Sequence, residues 1–376
     1  MFQNYCRLPW HTHAALRDAP YHALSYQLEM EATSMSLMRM AAAGGVTLAL
    51  WQAAGAVVPQ SMRAAAIDAA GGPQVITPHT LPVPKPDADE VLIAVDSADV
   101  AVWDASVRAH PEELKHAHFP LVLGTDGSGV IAAVGAQVRG FKPGDPVYAY
   151  MWDNPKGGFY AEYVAIPAKH VGHVPAGLSL RDAGAIAASA LTAIQGIDDA
   201  LHVRSGETLI IHGASGGVGT LALQFAKLRG ARVLATGSGE DGVSLVKSLG
   251  ADRVVDGRKG DILGIAHQFA PGGVDAVLAF AGGDGFAHSV DALKPGGRVA
   301  FPWGVSPEPK PTVDIRSSTR FNAIAGPQEF EQLNQAIIAS KLQVTIAAEY
   351  PLGEAAKAQA RLESGHLLGK VVLRIH

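Results

Sequence analysis

Residues Thr208–Thr236 read TLIIHGASGGVGTLALQFAKLRGARVLAT, and this stretch decides the fold. Thr208–His212 is a short apolar, strand-like run. After it Val218, Leu221, Phe225 and Leu228 recur at spacings of 3, 4 and 3, and Arg232–Thr236 is a second apolar run. The pattern is strand, amphipathic helix, strand, with Gly230 ending the helix. Between the first strand and the helix lies HGASGGVG, His212–Gly219. Gly213, Gly217 and Gly219 stand where a tight turn, a close approach to a pyrophosphate and helix–strand packing each exclude a side chain. Together with Ser215, Gly216 and Val218 they form the expected cofactor-binding loop, whose amides at a helix N-terminus face phosphates. One exposed interaction of this kind contributes only about 0.3–1 kcal/mol, so several must act together.

Working outward, VDAVLAF (Val274–Phe280) and GRVAF (Gly297–Phe301) are near-continuous apolar runs, as a sheet buried on both faces requires. The alternation extends over residues 185–314 and predicts a doubly wound parallel-sheet (Rossmann) α/β domain there. Residues 62–184 read as β: VLIAV (Val91–Val95), GSGVIAAVG (Gly127–Gly135) and AEYVAI (Ala161–Ile166) are bounded by Gly, Pro and Asp, and Phe141–Asp145 (FKPGD) has turn chemistry. Residues 315–376 carry a helical stretch near Gly353–Glu363 and a last strand, Lys370–Ile375.

Composition narrows the function class. A chain of 376 residues exceeds the roughly 250–300 at which single cores split, so two domains are expected. With 30 Lys+Arg against 35 Asp+Glu and a net charge of −5, the chain lacks the basic excess of a nucleic-acid binder. Its only cysteine is Cys6, so neither an intrachain disulfide nor a cysteine-rich zinc site can form; this fits a cytoplasmic protein. Residues 1–61 stand apart as a leader. They hold no lysine and contain AAAGGVTLALWQAAGAVV, Ala41–Val58, too short and too glycine-rich for a membrane span. Two readings stay open: a leader ahead of a start at Met62, or an export signal with Ala54-Gly55-Ala56 as its cleavage site.

The second strand of the alternating region ends Ala235-Thr236-Gly237-Ser238. It lacks the acid at its tip that would bind the 2′-hydroxyl of NAD. This favours NADP(H), with Ser238 and Arg258 as donors to the 2′-phosphate, although Glu240 and Asp241 would repel that group if they pointed inward.

With these features in place the sequence resembles the medium-chain dehydrogenase/reductase superfamily, in its zinc-independent quinone oxidoreductase (zeta-crystallin-like) branch. The likeness runs from about Met62 to His376. It is carried by FPLVLGTDGSGVIAAVGAQVRGFKPGDPVYAY, GGFYAEYVAIPA, ASALTAIQGI, GETLIIHGASGGVGTLALQFAKLRGARVLATGS, VKSLGADRVVD, LKPGGRV and HLLGKVVL, in family order and spacing. The resemblance implies a GroES-like β-rich catalytic domain begun by residues 62–184, interrupted by the nucleotide-binding domain and completed by residues 315–376. It implies a substrate cleft between the two, a homodimer, no membrane association and a small electron-poor acceptor. Where zinc-dependent members carry ligands, this chain reads Ser97–Asp104 and Gly124-Thr125-Asp126, so no metal is expected. His110, His116 and His118 form a histidine-rich loop whose bland reading is solvated surface.

By the same resemblance, Thr192 stands where members contact the nicotinamide, and Tyr148 and Trp103 are aromatic candidates for the acceptor pocket, with core packing as the competing role. Asp104 matches an acidic family position, with helix capping or an ion pair as the alternative to catalysis. The chain departs from many members in having Ala101-Val102 for Asn-Pro, Ser106 for a pocket Tyr, Gly242 for a phosphate-binding Lys and Ala279 for Asp. The expected activity is hydride transfer from NADPH to a quinone or an α,β-unsaturated carbonyl. An NAD-dependent dehydrogenase/reductase and a low-turnover NADPH-binding redox sensor or structural protein are the alternatives.

Overall fold

The computed structural model describes residues 58–376. The leader therefore lies outside the described residues except for its last four, and the first strand starts at Ser61, one residue ahead of the expected boundary.

The first half is built of β1 (Ser61–Ile67), β2 (Thr77–Pro82), β3 (Glu90–Asp99), β4 (Leu121–Val122), β5 (Asp126–Val134), β6 (Pro146–Tyr150), β7 (Tyr163–Pro167) and β8 (Val171–His173). Helix α1 (Val102–Ala109) leaves the end of β3. Strands β2, β1 and β4 form a small antiparallel sheet. The larger mixed sheet centres on β3, whose alternate residues Val91, Ile93 and Val95 are buried with Ile131, Val147 and Ile166. Their spacing of two places all three on one face.

Two helices, α2 (Leu180–Gly184) and α3 (Ala187–Gln195), lead into the parallel sheet. There β9 (Thr208–His212), α4 (Gly219–Leu228), β10 (Arg232–Gly237), α5 (Gly239–Ser248), β11 (Arg253–Asp256), α6 (Ile262–Phe269), β12 (Val274–Ala279), α7 (Asp284–Asp291) and β13 (Leu293–Pro302) alternate. The sheet closes with β14 (Ser317–Phe321), in the order β11-β10-β9-β12-β13-β14. Counted from β9 this is 3-2-1-4-5-6, the order of a dinucleotide-binding sheet. Leu209 and Ile211 pack on the face that carries α3 and α4, and Ile210 packs on the face that carries α6 and α7.

The parallel sheet extends past the expected limit of 314. Strand β14 belongs to it, and α8 (Pro327–Ser340) packs through Phe330, Leu333 and Ile337 into the same core as α3 and α4. The sequence SSTRF escaped notice because an edge strand with one open side needs no apolar run; its residues alternate between half-buried and exposed. Only β15 (Ile346–Pro351), α9 (Ala355–Glu363) and β16 (Lys370–Arg374) return to the first half, where β16 pairs antiparallel with β3.

Candidate functional site

A cleft of about 230 Å³ opens where β16 passes the glycine loop. One wall is Val100–Trp103 at the β3–α1 junction, the other is Gly213 and Gly216–Gly219 with Phe280, and Leu362, Leu367 and Gly369–Val371 close the end.

The loop is built by its glycines. Gly213 has φ 78°, in the left-handed region. A Cβ on Gly219 would overlap the Gly213 carbonyl oxygen, and one on Gly217 would collide with the Lys370 side chain. At Gly216 an added Cβ meets only the Gly213 carbonyl, at 3.4 Å, so the loop surface is open there. The amides of Gly217 and Val218, just ahead of α4, find no acceptor among the described residues. Two unpaired donors at a helix N-terminus beside an open surface fit a pyrophosphate. The Gly369 amide donates to the Ser215 carbonyl at 3.1 Å, which clasps the C-terminal segment onto the loop. Ser215 Oγ accepts from the Ser238 amide at 3.0 Å, so this hydroxyl ties the loop to the tip of β10. Arg258 lies beside that tip, where its guanidinium occupies the space a side chain on Gly239 would need.

Behind the cleft lies a buried charge cluster. Lys370 Nζ donates to Asp99 Oδ2 and to Ser189 Oγ, each at 2.6 Å. Asp126 Oδ2 accepts from the Ala188 amide at 2.9 Å, and its Oδ1 accepts from Thr125 Oγ1 at 3.2 Å. Asp104 Oδ2 accepts from the Ala101 amide at 2.9 Å and the Tyr160 hydroxyl at 3.1 Å. Of these three carboxyl groups only that of Asp99 pairs with the ammonium. Burial drives all three upward: Asp104 to about 7, with repulsion from Asp99 adding to it, Asp126 well above the carboxylate range, and Asp99 upward against the pull of Lys370. Asp99 Oδ1 has no partner. His212, at the end of β9, is pushed by burial down to about 4 and stays neutral.

Two family descriptions match the chain: Alcohol dehydrogenase GroES-like domain over residues 87–176 and Zinc-binding dehydrogenase over 249–373. The guanaco (Lama guanicoe) quinone oxidoreductase is 32% identical over 327 residues, covering 83% of this chain and 97% of that protein. The chain belongs to the medium-chain dehydrogenase/reductase superfamily, in its quinone oxidoreductase branch. It is a quinone oxidoreductase-like enzyme of that superfamily. A tomato (Solanum lycopersicum) 2-methylene-furan-3-one reductase is 31% identical over 325 residues, covering 84% of this chain and 80% of the relative. Among solved structures, an NAD-dependent alcohol dehydrogenase has a TM-score of 0.76 at 32% identity, covering 84% of this chain and all of that one. A mycobacterial protein solved with NADPH has a TM-score of 0.73 at 28% identity, again over 84% of this chain and all of the other.

In this quinone oxidoreductase-like chain Gly213, Gly216, Gly217, Val218 and Gly219 line the cleft, while Ser215, Ser238 and Arg258 lie together at the tip of β10. Trp103 lines the cleft and donates its indole N–H to Thr125 Oγ1 at 2.7 Å. Thr192 lies on α3 one turn beyond Ala188, to whose carbonyl its hydroxyl donates at 2.8 Å. Asp104 occupies the first turn of α1 and holds the Ala101 amide, so it caps that helix from within. Tyr148 does not line this cleft. It is fully buried between β6 and α8, its ring edge-on to Phe330 and its hydroxyl donating to Asn334 Oδ1 at 2.7 Å. The pleat puts Tyr148 and Tyr150 on the same face of β6, the one that α8 covers, and Tyr148 is the deeper of the two. His116 pairs with Asp153 at 3.1 Å, and no group of three or more His, Cys, Asp or Glu among the described residues could hold a metal.

The sequence reading missed the Asp99–Lys370 pair. A lysine heading an otherwise apolar strand, in Gly369-Lys370-Val371-Val372-Leu373, is the signal that could have shown it, because a buried lysine requires a buried acid. No helix among the described residues is long and apolar enough to cross a membrane.

Proposed function

We propose that this enzyme is a zinc-independent reductase that uses NADPH to reduce a quinone or an α,β-unsaturated carbonyl. The observation that carries the reading is the cleft itself: free loop amides at one end, Ser238 and Arg258 at the tip of β10, and a mostly apolar mouth formed by Val102, Trp103, Phe280, Leu362 and Leu367. Bound there, the cofactor would supply a hydride. The chain holds the phosphates through the amides of Gly217 and Val218 and orients the acceptor between apolar walls. Positioning of this kind is worth up to about 7–11 kcal/mol, and an electron-poor acceptor needs little more, since water can provide the proton. The relative named for a 2-methylene-furan-3-one and the neighbour solved with NADPH support both halves of the reading.

The donor set does not fit zinc. The carboxylates at the positions of interest are held otherwise: Asp99 by Lys370, Asp126 by the Ala188 amide and Thr125, Asp104 by the Ala101 amide and Tyr160.

The test is consumption of NADPH and NADH with 1,2-naphthoquinone, 9,10-phenanthrenequinone and a simple enone. We expect turnover with NADPH, and Arg258→Ala should raise its KM on the order of tenfold or more, the loss of a charged hydrogen bond. Tight NADPH binding without turnover across these acceptors would refute the assignment, and faster turnover with NADH would move it to the NAD-dependent reading.

A further inference from the structure

After α9 the chain doubles back through Ser364–Gly369 before entering β16. Gly365 has φ 75° and His366 φ 46°, two successive left-handed residues. Histidine is among the few side chains that adopt this region, and such a conformation persists only where its surroundings enforce it. Arg361 enforces it here: Nη1 donates to Ser364 Oγ and to the Gly365 carbonyl, each at 3.0 Å, and Nη2 to the His366 carbonyl at 3.4 Å. The far end of the loop is fastened by the Gly369 amide on Ser215.

This shaping carries the imidazole across to the tip of β10. His366 Nε2 lies 2.9 Å from Asp241 Oδ2, and Nδ1 lies 3.3 Å from Ser238 Oγ. Arg258 stands on the same tip, against Gly239 and close to Asp241. Five polar side chains therefore converge: Ser238 and Arg258 suit a 2′-phosphate, Asp241 opposes one, His366 binds Asp241, and Asp256 Oδ1 accepts from the Gly239 and Arg258 amides at 3.2 and 3.0 Å. The Asp241 carboxyl is held below its usual range by the His366 hydrogen bond and by the Gly242 amide, so it is an anion. Its other oxygen is already turned back onto its own helix through that Gly242 amide at 2.9 Å.

We propose that His366 is a specificity-determining residue for the cofactor: by binding Asp241 it covers the acidic charge, so that Ser238 and Arg258 present a receptive face to the 2′-phosphate of NADP(H). Without it the same tip carries an uncovered acid of the kind that suits the 2′-hydroxyl of NAD(H). The inference rests on the NADPH reading and deepens it.

Calorimetric titration with 2′,5′-ADP and 5′-AMP, which differ only in the 2′-phosphate, tests it. His366→Gly removes the imidazole and suits the left-handed backbone, and His366→Asn keeps that backbone with a side chain too short to reach. Each should lower 2′,5′-ADP affinity about fivefold, the scale of one hydrogen bond, and leave 5′-AMP within about twofold, which also verifies that the groove is intact. Adding Asp241→Asn to His366→Gly should restore most of the lost affinity, because the charge to be covered is gone. An unchanged ratio of the two affinities in both His366 variants would overturn the role, as would an equal rise for both nucleotides, which would make the loop a mere cover over the groove. Equal affinities in the unaltered protein would refute the NADPH reading itself, whereas a preference retained in the variants refutes only the role of His366.

Discussion

Replacing Asp104 with Asn should change how the stability of this protein depends on pH, by an amount the structure sets. Asp104 is 1% exposed, and burial moves its carboxyl from 3.8 to about 7. Between those values the folded protein keeps a proton that the unfolded chain gives up, so unfolding releases it and stability falls as pH rises, levelling off above about 7. At about 1.4 kcal/mol per unit, this one group removes about 3 kcal/mol between pH 5 and pH 8. Asn retains an oxygen that accepts from the Ala101 amide and the Tyr160 hydroxyl and has no proton to lose. The stability of D104N minus that of the unaltered protein should therefore grow by about 3 kcal/mol over that range. Urea titrations at pH 5, 6, 7 and 8, followed by tryptophan fluorescence, measure it. The subtraction cancels most of the titration of Asp99 and Asp126, which remain in both proteins. A difference that stays constant over the range would refute the reasoning, since it would mean that Asp104 ionises alike in the folded and unfolded chains.

Three further outcomes follow from the cleft and its support. Lys370→Met should destabilise the fold by about 3–5 kcal/mol by leaving the buried Asp99 carboxyl without its partner, and adding Asp99→Asn should recover at least half of the loss in thermal melts. Gly219→Ala forces a methyl into the Gly213 carbonyl, and fluorescence titration should show NADPH affinity reduced by at least about tenfold, two missing charged hydrogen bonds being ample for that. Tyr148→Phe removes the hydrogen bond to Asn334, so denaturation should show a loss of about 1 kcal/mol while kcat stays unchanged, because the residue does not line the cleft.

The dinucleotide-binding sheet was legible because its signals are local. A buried parallel strand must be apolar along its whole length, so β9, β10, β12 and β13 announce themselves, and the glycines of His212–Gly219 mark a turn that no other residue can make. Strand β14 was illegible for the converse reason. An edge strand buries one side at most, and SSTRF carries no pattern to separate it from a loop. The candidate site divides in the same way: the glycine loop, Ser238 and Arg258 follow from their places at the ends of β9, β10 and β11, whereas the side chain of Tyr148 could have faced either way until its neighbours were known.

By itself, then, the sequence determined the absence of cysteine ligands beyond residue 6, and it determined the order of elements and the glycine turn, since these depend on residues adjacent along the chain. The tertiary structure alone decided which polar side chains meet. Lys370 finds Asp99 across 271 positions, and His366 finds Asp241 across 125. A local pattern can show that Lys370 is buried, but none names its partner or that of His366. Both arise because β16 leaves the parallel-sheet half, pairs with β3, and on the way draws its preceding loop over the glycine turn. The Asp99–Lys370 pairing then becomes obligatory, because an ammonium or carboxylate taken out of water must find its partner within the fold.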